Sequence, residues 1–260
     1  MSTDAAITTR TEGLPAGNPF ASPSDLPYGL PPFDRIREEH YAPAFEAGMA
    51  QQRREVEAIA TDPAHPTVEN TLEALERSGA LLTRVSATFF NLTGSAVTDG
   101  LARLEADLAP TLAAHRDSIV LDRRLFARIE SLKARERQLG LDAEQTRLLD
   151  RYHKDFVRAG AGLDDPSQER LREINAELSA LSTEFKAKLL ADTNDLAVHL
   201  TDEADLEGMS ADAVGAARAA AADRGLDGFL LTLVLPTSQP ALGALRRRHV
   251  RERLHCASVS

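Results

Sequence analysis

The most constraining feature of the sequence is a series of large apolar residues whose spacing alternates between three and four positions. The series consists of Leu171, Ile174, Leu178, Leu181, Phe185 and Leu189. This spacing places all of these side chains along one stripe of an α-helix, and it is typical of helices that pair with an antiparallel neighbour. Asp165 and Pro166 suit the N-cap and the first position of that helix. The series therefore predicts an architecture of helices packed on helices.

The composition agrees with this architecture. Hydrophobic residues make up 43% of the chain, aromatic residues only 5%, and tryptophan is absent. A mixture dominated by Ala and Leu favours helices over a β-sandwich. Earlier segments repeat the helical spacing, and one of them, with Thr67 as its N-cap, is predicted to run unbroken from Val68 to Leu92.

The periodicity changes near residue 193. Residues 196–200 alternate apolar and polar side chains, which predicts a strand, and residues 229–235 form a second, almost wholly apolar strand. A proline-containing link at 236–240 leads into one last helix that ends near Ala257. Because a two-stranded sheet is marginal by itself, this part is expected to be an incomplete α+β region.

These observations predict a mainly α protein in three parts. Residues 1–24, rich in Thr, Ser, Gly, Pro and Ala, are expected to form a disordered tail. Residues 25–192 are expected to form a multi-helix domain. Residues 193–260 are expected to form the start of the small, incomplete α+β region at the C-terminal end.

Charge and composition exclude several classes of function. The formal net charge is −10, which argues against a general nucleic-acid-binding protein, because phosphate contacts need a basic surface. No apolar run approaches the ~20 residues needed to cross a bilayer, and no secretory signal is recognisable. The single cysteine, Cys256, excludes an intrachain disulfide. We therefore expect a cytoplasmic protein without nucleic-acid or membrane partners.

The spacing of the histidines argues against a zinc site of the H-E-x-x-H type. A zinc site of the H-E-x-x-H type needs two histidines four positions apart on one helix, with a glutamate between them. The seven histidines are at positions 40, 65, 115, 153, 199, 249 and 255, and no two of them have this spacing. His249 and Glu252 share a helix face and are a candidate ligand pair, but the arginines around them oppose cation binding. We favour a solvated basic face there.

Other reactive residues have structural interpretations. His115 lies on an apolar stripe, which favours a hydrogen-bonded histidine at a helix interface. His40 is interpreted as orienting the turn that follows it, and Gly160–Gly162 as the end of a helix. Cys256 has basic neighbours, but the sequence shows no Cys–His pattern of a nucleophilic catalytic site around it. No catalytic, cofactor-binding or metal-binding residue is therefore assigned.

Several short segments carry a resemblance through their order and spacing over residues 18–258. They are Asn18–Phe20, Leu26–Tyr28, Pro31–Phe33, His40–Met49, Pro66–Thr71, Ala74–Gly79, Phe156–Ala161 and Thr237–Pro240. Together they resemble the N-terminal half of the peptidyl-dipeptidase and oligopeptidase A family of zinc metallopeptidases, the thimet-oligopeptidase-like family. The P-T-V-E-N-T of Pro66–Thr71, for example, is similar to the P-T-F-E-N-T of the family.

The resemblance implies a helical, zincin-like protein with a deep channel between two halves, in which oligopeptides are cleaved and C-terminal dipeptides are released. In that family one zinc ion is held by the two histidines of H-E-x-x-H and a downstream glutamate, and no residue of this chain matches them. We therefore expect an N-terminal fragment, truncated before the catalytic segment, that supplies a channel wall, holds no cofactor and is inactive alone. Two alternatives stay open: one half of a split peptidase whose catalytic half is a separate chain, and a non-catalytic helical binding module.

Overall fold

The computed structural model of the protein describes residues 13–15, 17–95 and 97–259. It divides the chain into two compact units, Met1–Ala180 and Leu181–Ser260, which we call unit 1 and unit 2. The division falls within one long helix, and each unit is described by itself. Helices dominate the described residues, and two short strands form one small sheet, so the predicted mainly α fold is confirmed. None of the helices described combines the length and the hydropathy that crossing a membrane requires.

Unit 1 contains helices α1 to α6 and the first part of α7. Their bounds are Tyr41–Ala60 for α1, Ala74–Arg77 for α2, Ala80–Ser95 for α3, Asp99–Val120 for α4, Arg123–Ala134 for α5, Ala143–Ala159 for α6 and Asp165–Asp195 for α7. Helix α6 shows how local sequence sets these bounds. Asp142 begins it by accepting a hydrogen bond from the backbone N–H of Gln145 at 2.8 Å. Gly160, with a φ of 96°, ends it in the left-handed conformation, as predicted for this glycine turn.

Two hydrophobic clusters form the core of unit 1, and α1 contributes to both. The first surrounds Phe45 and Phe89, whose rings meet edge to face with centroids 5.3 Å apart. The second surrounds Ile129 of α5 and Leu149 of α6, neither of which has exposed surface, and it also includes Val56 of α1. Burying one side chain of this size contributes about 1.5–3 kcal/mol. The shared helix α1 therefore joins the two clusters into one unit.

The beginning of the described chain packs against the first cluster. Phe20 is buried, and its ring centroid lies 5.5 Å from that of Tyr41. Asn18 fastens the same segment by donating a hydrogen bond to the carbonyl of His40 at 3.0 Å. These residues belong to the predicted disordered tail 1–24, and for them the structure shows packing instead, because an aromatic ring is stabilised by burial. Residues 1–12 and 16 of that tail lie outside the described residues.

The predicted unbroken helix from Val68 to Leu92 is interrupted at Gly79, so the prediction is wrong at this point. The chain forms a widened helical turn at Val68–Glu73, then α2, and then a sharp turn before α3. Gly79 has a φ of 72°, and its backbone N–H donates to Glu55 Oε2 at 2.7 Å. Gln52 of α1 occupies the space where a side chain at this position would lie. The conformation and the close approach both require glycine, and they end the helix.

We expect Gly79→Ala to lower the free energy of unfolding by about 1–3 kcal/mol, because the new methyl group would meet Gln52 on a backbone with positive φ. Urea denaturation followed by circular dichroism measures the change. Gly94→Ala is the matched control, since Gly94 lies inside α3 with open space around it. That substitution is expected to be neutral or slightly stabilising. Equal losses in the two variants would contradict the explanation.

Helix α7 forms over Asp165–Asp195, but the predicted antiparallel packing of its apolar stripe is wrong for the described residues. The exposed fractions are 36% for Ile174, 55% for Leu178, 52% for Leu181, 67% for Phe185 and 55% for Leu189. Gln168 is the one residue of α7 that is buried. The spacing decides which residues share a helix face, whereas burial needs a second surface that the described residues do not provide. The N-cap lies one residue earlier than predicted, since Asp164 accepts from the Ser167 backbone N–H at 2.9 Å.

Unit 2 contains the end of α7, two strands and three further helices. Their bounds are Val198–Leu200 for β1, Ala211–Ala222 for α8, Phe229–Leu231 for β2, Leu235–Ala244 for α9 and Arg248–Ser258 for α10. The strands pair antiparallel, with Val198 opposite Leu231. Leu231, Val250 and Leu254 have no exposed surface and lie in a core shared by both strands and the last three helices. The helices therefore supply the packing that a two-stranded sheet alone lacks.

Two predictions for this region are corrected. The strand predicted over 229–235 ends at Leu231, and the link predicted at 236–240 lies inside α9. Pro236 falls in the first turn of that helix, where a missing N–H costs no hydrogen bond. The single last helix is in fact two, because the chain leaves the helical conformation at Leu245. An apolar run of this length does not by itself distinguish a strand from the start of a buried helix.

Candidate functional site

The P-T-V-E-N-T segment, Pro66–Thr71, forms a closed turn at the start of its helical stretch. Thr67 Oγ1 accepts a hydrogen bond from the Asn70 backbone N–H at 3.1 Å, and Asn70 Oδ1 accepts one from the Thr67 backbone N–H at 2.7 Å. Asn70 Nδ2 also donates to the carbonyl of His65 at 3.0 Å. This reciprocal cap satisfies backbone groups that the first helical turn leaves free. The turn is one of the segments that carry the resemblance.

Arg128 of α5 anchors this turn, and sequence reasoning did not identify it. Its guanidinium donates to the carbonyls of Asp62 at 2.7 Å and Ala64 at 3.2 Å. It also donates to Asn70 Oδ1 at 3.0 Å and Thr71 Oγ1 at 3.3 Å, and it lies 3.4 Å from a carboxylate oxygen of Asp62. Arg128 is only 7% exposed. All five contacts connect one buried cation to the single stretch 62–71.

A signal for Arg128 was present in the sequence. Leu125, Ile129 and Leu132 have no exposed surface, and helical spacing places Arg128 on the same face of α5. A charged residue at such a position is buried only when hydrogen-bond partners surround it. The Asp62 carboxylate is paired with Arg128, and the Thr71 hydroxyl donates to Asn70 Oδ1, so neither group is arranged as a general base or a nucleophile. The chemical capacity of this network is to hold the turn in one conformation.

The histidines singled out in the sequence lie apart and have structural contacts. His115 is buried, and its Nε2 is 2.7 Å from Oε1 of Gln52, as predicted for a hydrogen-bonded histidine between helices. Burial, together with the charge of Arg53, lowers the pKa of His115, so the neutral imidazole is favoured. His40 Nδ1 accepts from the backbone N–H of Arg37 at 2.9 Å, which fits the predicted role of orienting the turn before α1.

The candidate pair His249 and Glu252 is not brought together as a metal site. His249 Nε2 lies 3.3 Å from Oδ1 of Asp205, and Asp205 is already paired with Arg247 at 3.0 Å. Within residues 13–15, 17–95 and 97–259, no three His, Cys, Asp or Glu side chains come close enough to hold a metal ion. The prediction that this chain holds no metal ligand stays a prediction.

The arginines near the C-terminal end fasten unit 2 together, a role that the sequence did not indicate. Arg246 lies 3.3 Å from a carboxylate oxygen of Glu207, and Arg251 donates to the carbonyls of Leu245 and Arg246 at 2.7 Å each. Arg253 donates to the carbonyl of His199 on β1 at 3.2 Å. The bonds of Arg251 and Arg253 connect α10 to the residues that follow α9 and to the sheet. The same helix carries Cys256 at an exposed position.

Each unit also contains a cavity large enough for a small ligand. In unit 1 a cleft of about 550 Å³ is lined by Asp117, Arg116, Arg158 and Phe156 among others. Asp117 is buried there, and both of its carboxylate oxygens accept from Asn175 Nδ2, at 2.9 and 3.0 Å. In unit 2 a mostly apolar cavity of about 440 Å³ lies among α8, β2 and α9. Among the residues that line these two cavities there is no activated nucleophile with a base beside it.

Comparison with known proteins connects this arrangement to a set of peptidases. The chain is 42% identical to the dipeptidyl carboxypeptidase of Escherichia coli (strain K12) over 241 residues, which are 92% of this chain and 35% of the relative. It is 42% identical to the dipeptidyl carboxypeptidase of Salmonella typhimurium over 93% of this chain and 36% of that protein. Oligopeptidase A of Escherichia coli is 28% identical over 92% of this chain and 35% of the relative. No family model matches the chain.

These matches cover only part of each relative, which limits the properties that can be inferred for this chain. The chain spans about a third of the length of the relatives that it matches. Almost all of this chain is matched, including the P-T-V-E-N-T turn and the region of α7. About two thirds of each relative has no counterpart in these 260 residues. The activity of those whole proteins can therefore only be proposed for this chain.

Proposed function

We propose, from the premise that this chain belongs to the family of dipeptidyl carboxypeptidase and oligopeptidase A, that it is the helical, non-catalytic N-terminal part of such a peptidase. The observation that carries the proposal is the 42% identity to two dipeptidyl carboxypeptidases over more than nine tenths of the chain. The whole enzyme would release C-terminal dipeptides from oligopeptides. The present residues would supply one wall of the channel that admits the peptide.

The residue chemistry supports a non-catalytic role for this part. None of the seven histidines has the i, i+4 spacing of a zinc-binding H-E-x-x-H helix. His115 and His40 are engaged in structural hydrogen bonds, and His249 lies beside Asp205. The polar network around Arg128 holds a turn in place. We therefore propose that the zinc ion and its ligands belong to a segment outside these 260 residues.

The test is a direct assay of the purified 260-residue chain. After equilibration with zinc chloride and removal of free metal, atomic absorption is expected to find no stoichiometric zinc. Incubation with an N-blocked oligopeptide, followed by chromatography, is expected to show no dipeptide release. The dipeptidyl carboxypeptidase of Escherichia coli serves as the positive control. Chelator-sensitive dipeptide release by the pure chain would overturn the proposal.

A non-catalytic binding role is the second candidate, and the exposed apolar stripe of α7 favours it. The two roles are compatible, because a part without catalytic residues still has to recognise the part that carries them. In a split peptidase a separate chain would supply the catalytic half, this chain would bind that half, and the assembled enzyme would act on oligopeptides. A cytoplasmic location and the absence of nucleic-acid and membrane partners stay predictions from the sequence.

A further inference from the structure

The apolar stripe of α7 consists of Ile174, Leu178, Leu181, Phe185 and Leu189. Four of these side chains are more than half exposed. With a rise of 1.5 Å per residue, the stripe extends for about 22 Å along the helix. Monomeric proteins rarely expose a continuous apolar surface of this size, and such surfaces usually mark a site of protein–protein contact. The stripe therefore needs an occupant.

The borders of the stripe indicate the chemistry of that occupant. Glu177 and Glu184 each come one position before a stripe residue, so helical spacing places both along the same border. Asn175 and Ser182 follow the opposite border and carry no charge. Glu184 is paired with Lys188 at 2.6 Å, which leaves the border acidic on balance. A complementary surface would be apolar at its centre and basic along one edge.

A second copy of this chain fits the stripe poorly. If two α7 helices paired antiparallel with Leu178 opposite Leu181 of the second copy, Glu177 of each copy would lie near Glu184 of the other, twice along the same border of the pair. Like charges at flanking positions destabilise such pairs. The charge pattern therefore opposes self-association in the register that aligns the apolar residues.

We propose that the α7 stripe is the docking surface for the portion of a dipeptidyl carboxypeptidase-type polypeptide that has no counterpart in this chain. This proposal rests on the proposed function, since it takes the occupant from the same family. The relatives are about three times as long as their match to this chain, so they possess the additional polypeptide that the stripe requires. The occupying surface is apolar, with a basic edge that faces Glu177 and Glu184.

The test uses a whole protein. The 241-residue region of the Escherichia coli dipeptidyl carboxypeptidase that matches this chain is replaced by this chain, which gives a full-length chimera. The stripe variant carries Leu178→Glu and Phe185→Glu. The matched control carries Ala176→Glu and Ala187→Glu, which add the same charges at exposed positions on the opposite face of α7. The same two pairs of substitutions are made in the isolated 260-residue chain.

We expect the stripe variant of the chimera to be cleaved by subtilisin at least about 100-fold faster than the control variant, because two charges would be forced into an apolar interface. In the isolated chain the two variants are expected to be equally resistant, since both sets of positions are exposed there. Equal resistance of the two chimera variants would overturn the docking proposal. A chimera that does not fold with the native stripe would also overturn it.

The proposed function and the docking surface fail in different ways. A folded chimera that the stripe substitutions make sensitive to subtilisin, but that releases no dipeptide, would contradict the proposed function and support the docking surface. A chimera that releases dipeptides, and whose resistance to subtilisin the stripe substitutions do not change, would support the proposed function and contradict the docking surface. Sedimentation velocity of the isolated chain tests whether a second copy of the chain binds the stripe. A dimer that the stripe variant dissociates and the control does not would assign the surface to a second copy and overturn the proposal.

Discussion

Arg128→Ala is expected to lower the free energy of unfolding of unit 1 by about 3–5 kcal/mol. The guanidinium is buried and donates to two carbonyl oxygens, an amide oxygen and a hydroxyl oxygen of residues 62–71. Removing it takes this donor away from the carbonyls of Asp62 and Ala64 and from Thr71 Oγ1, whereas Asn70 Oδ1 keeps the Thr67 backbone N–H. The buried methylene groups of the Arg128 side chain are lost as well. Each loss alone is modest, but one substitution causes all of them together.

Urea denaturation followed by circular dichroism measures this effect, and Arg124→Ala is its control. Arg124 lies on the same helix, and its two terminal nitrogens donate to Glu57 at 2.7 and 2.8 Å, but it is about half exposed. An exposed pair contributes at most about 1 kcal/mol, so this variant is expected to stay close to the parent. Hydrogen exchange gives a second readout, since the amides of 67–71 are expected to lose protection in Arg128→Ala. Similar losses of stability in both variants would contradict the anchoring role.

Phe89→Ala is the second substitution for which a large effect is expected, again about 3–5 kcal/mol. The Phe89 side chain has no exposed surface. Its ring centroid lies 5.1 Å from that of Tyr41 and 5.3 Å from that of Phe45, both in edge-to-face geometry. Truncation would remove these contacts and leave a cavity between α1 and α3. The loss is therefore expected to exceed the transfer free energy of the ring alone.

The adjacent residue supplies the control for this prediction. Phe90 has the same side chain on the same helix, but it is 44% exposed. Phe90→Ala is expected to cost only about 1 kcal/mol in the same urea experiment, because nearly half of the surface of Phe90 stays in contact with water in the folded protein. A result in which the two alanine variants lose similar stability would show that the first cluster is packed differently from the structure.

The anchoring of the P-T-V-E-N-T turn has a consequence for the family resemblance. Thr67 and Asn70 close a capping box, and Asn70 and Thr71 also contact Arg128. In this chain the segment therefore acts as a structural joint between α5 and the chain that follows α1. A resemblance carried by such residues reports a shared fold of this part. It is consistent with a proposed role in which the chemistry lies elsewhere.

The sequence by itself determined the helical architecture, the resemblance to the peptidyl-dipeptidase and oligopeptidase A family and the absence of an H-E-x-x-H pair. These properties depend on residue spacing and on residue order, both of which are local and can be read directly. The same reasoning located the helix end at Gly160 and the hydrogen-bonded state of His115. It did not identify Arg128, because the five acceptors of that side chain lie more than 50 residues away along the chain.

The tertiary structure alone decided which apolar faces are covered. The stripe of α7 has the spacing of a packed helix, yet Phe185 is 67% exposed, because burial depends on a partner surface that spacing does not specify. The break at Gly79 has a similar cause, since it follows from the approach of Gln52 on α1. The shortened strand after Phe229 was likewise decided by packing on neighbouring helices. Periodicity fixes the face that a helix offers, and only the remainder of the fold determines what that face meets.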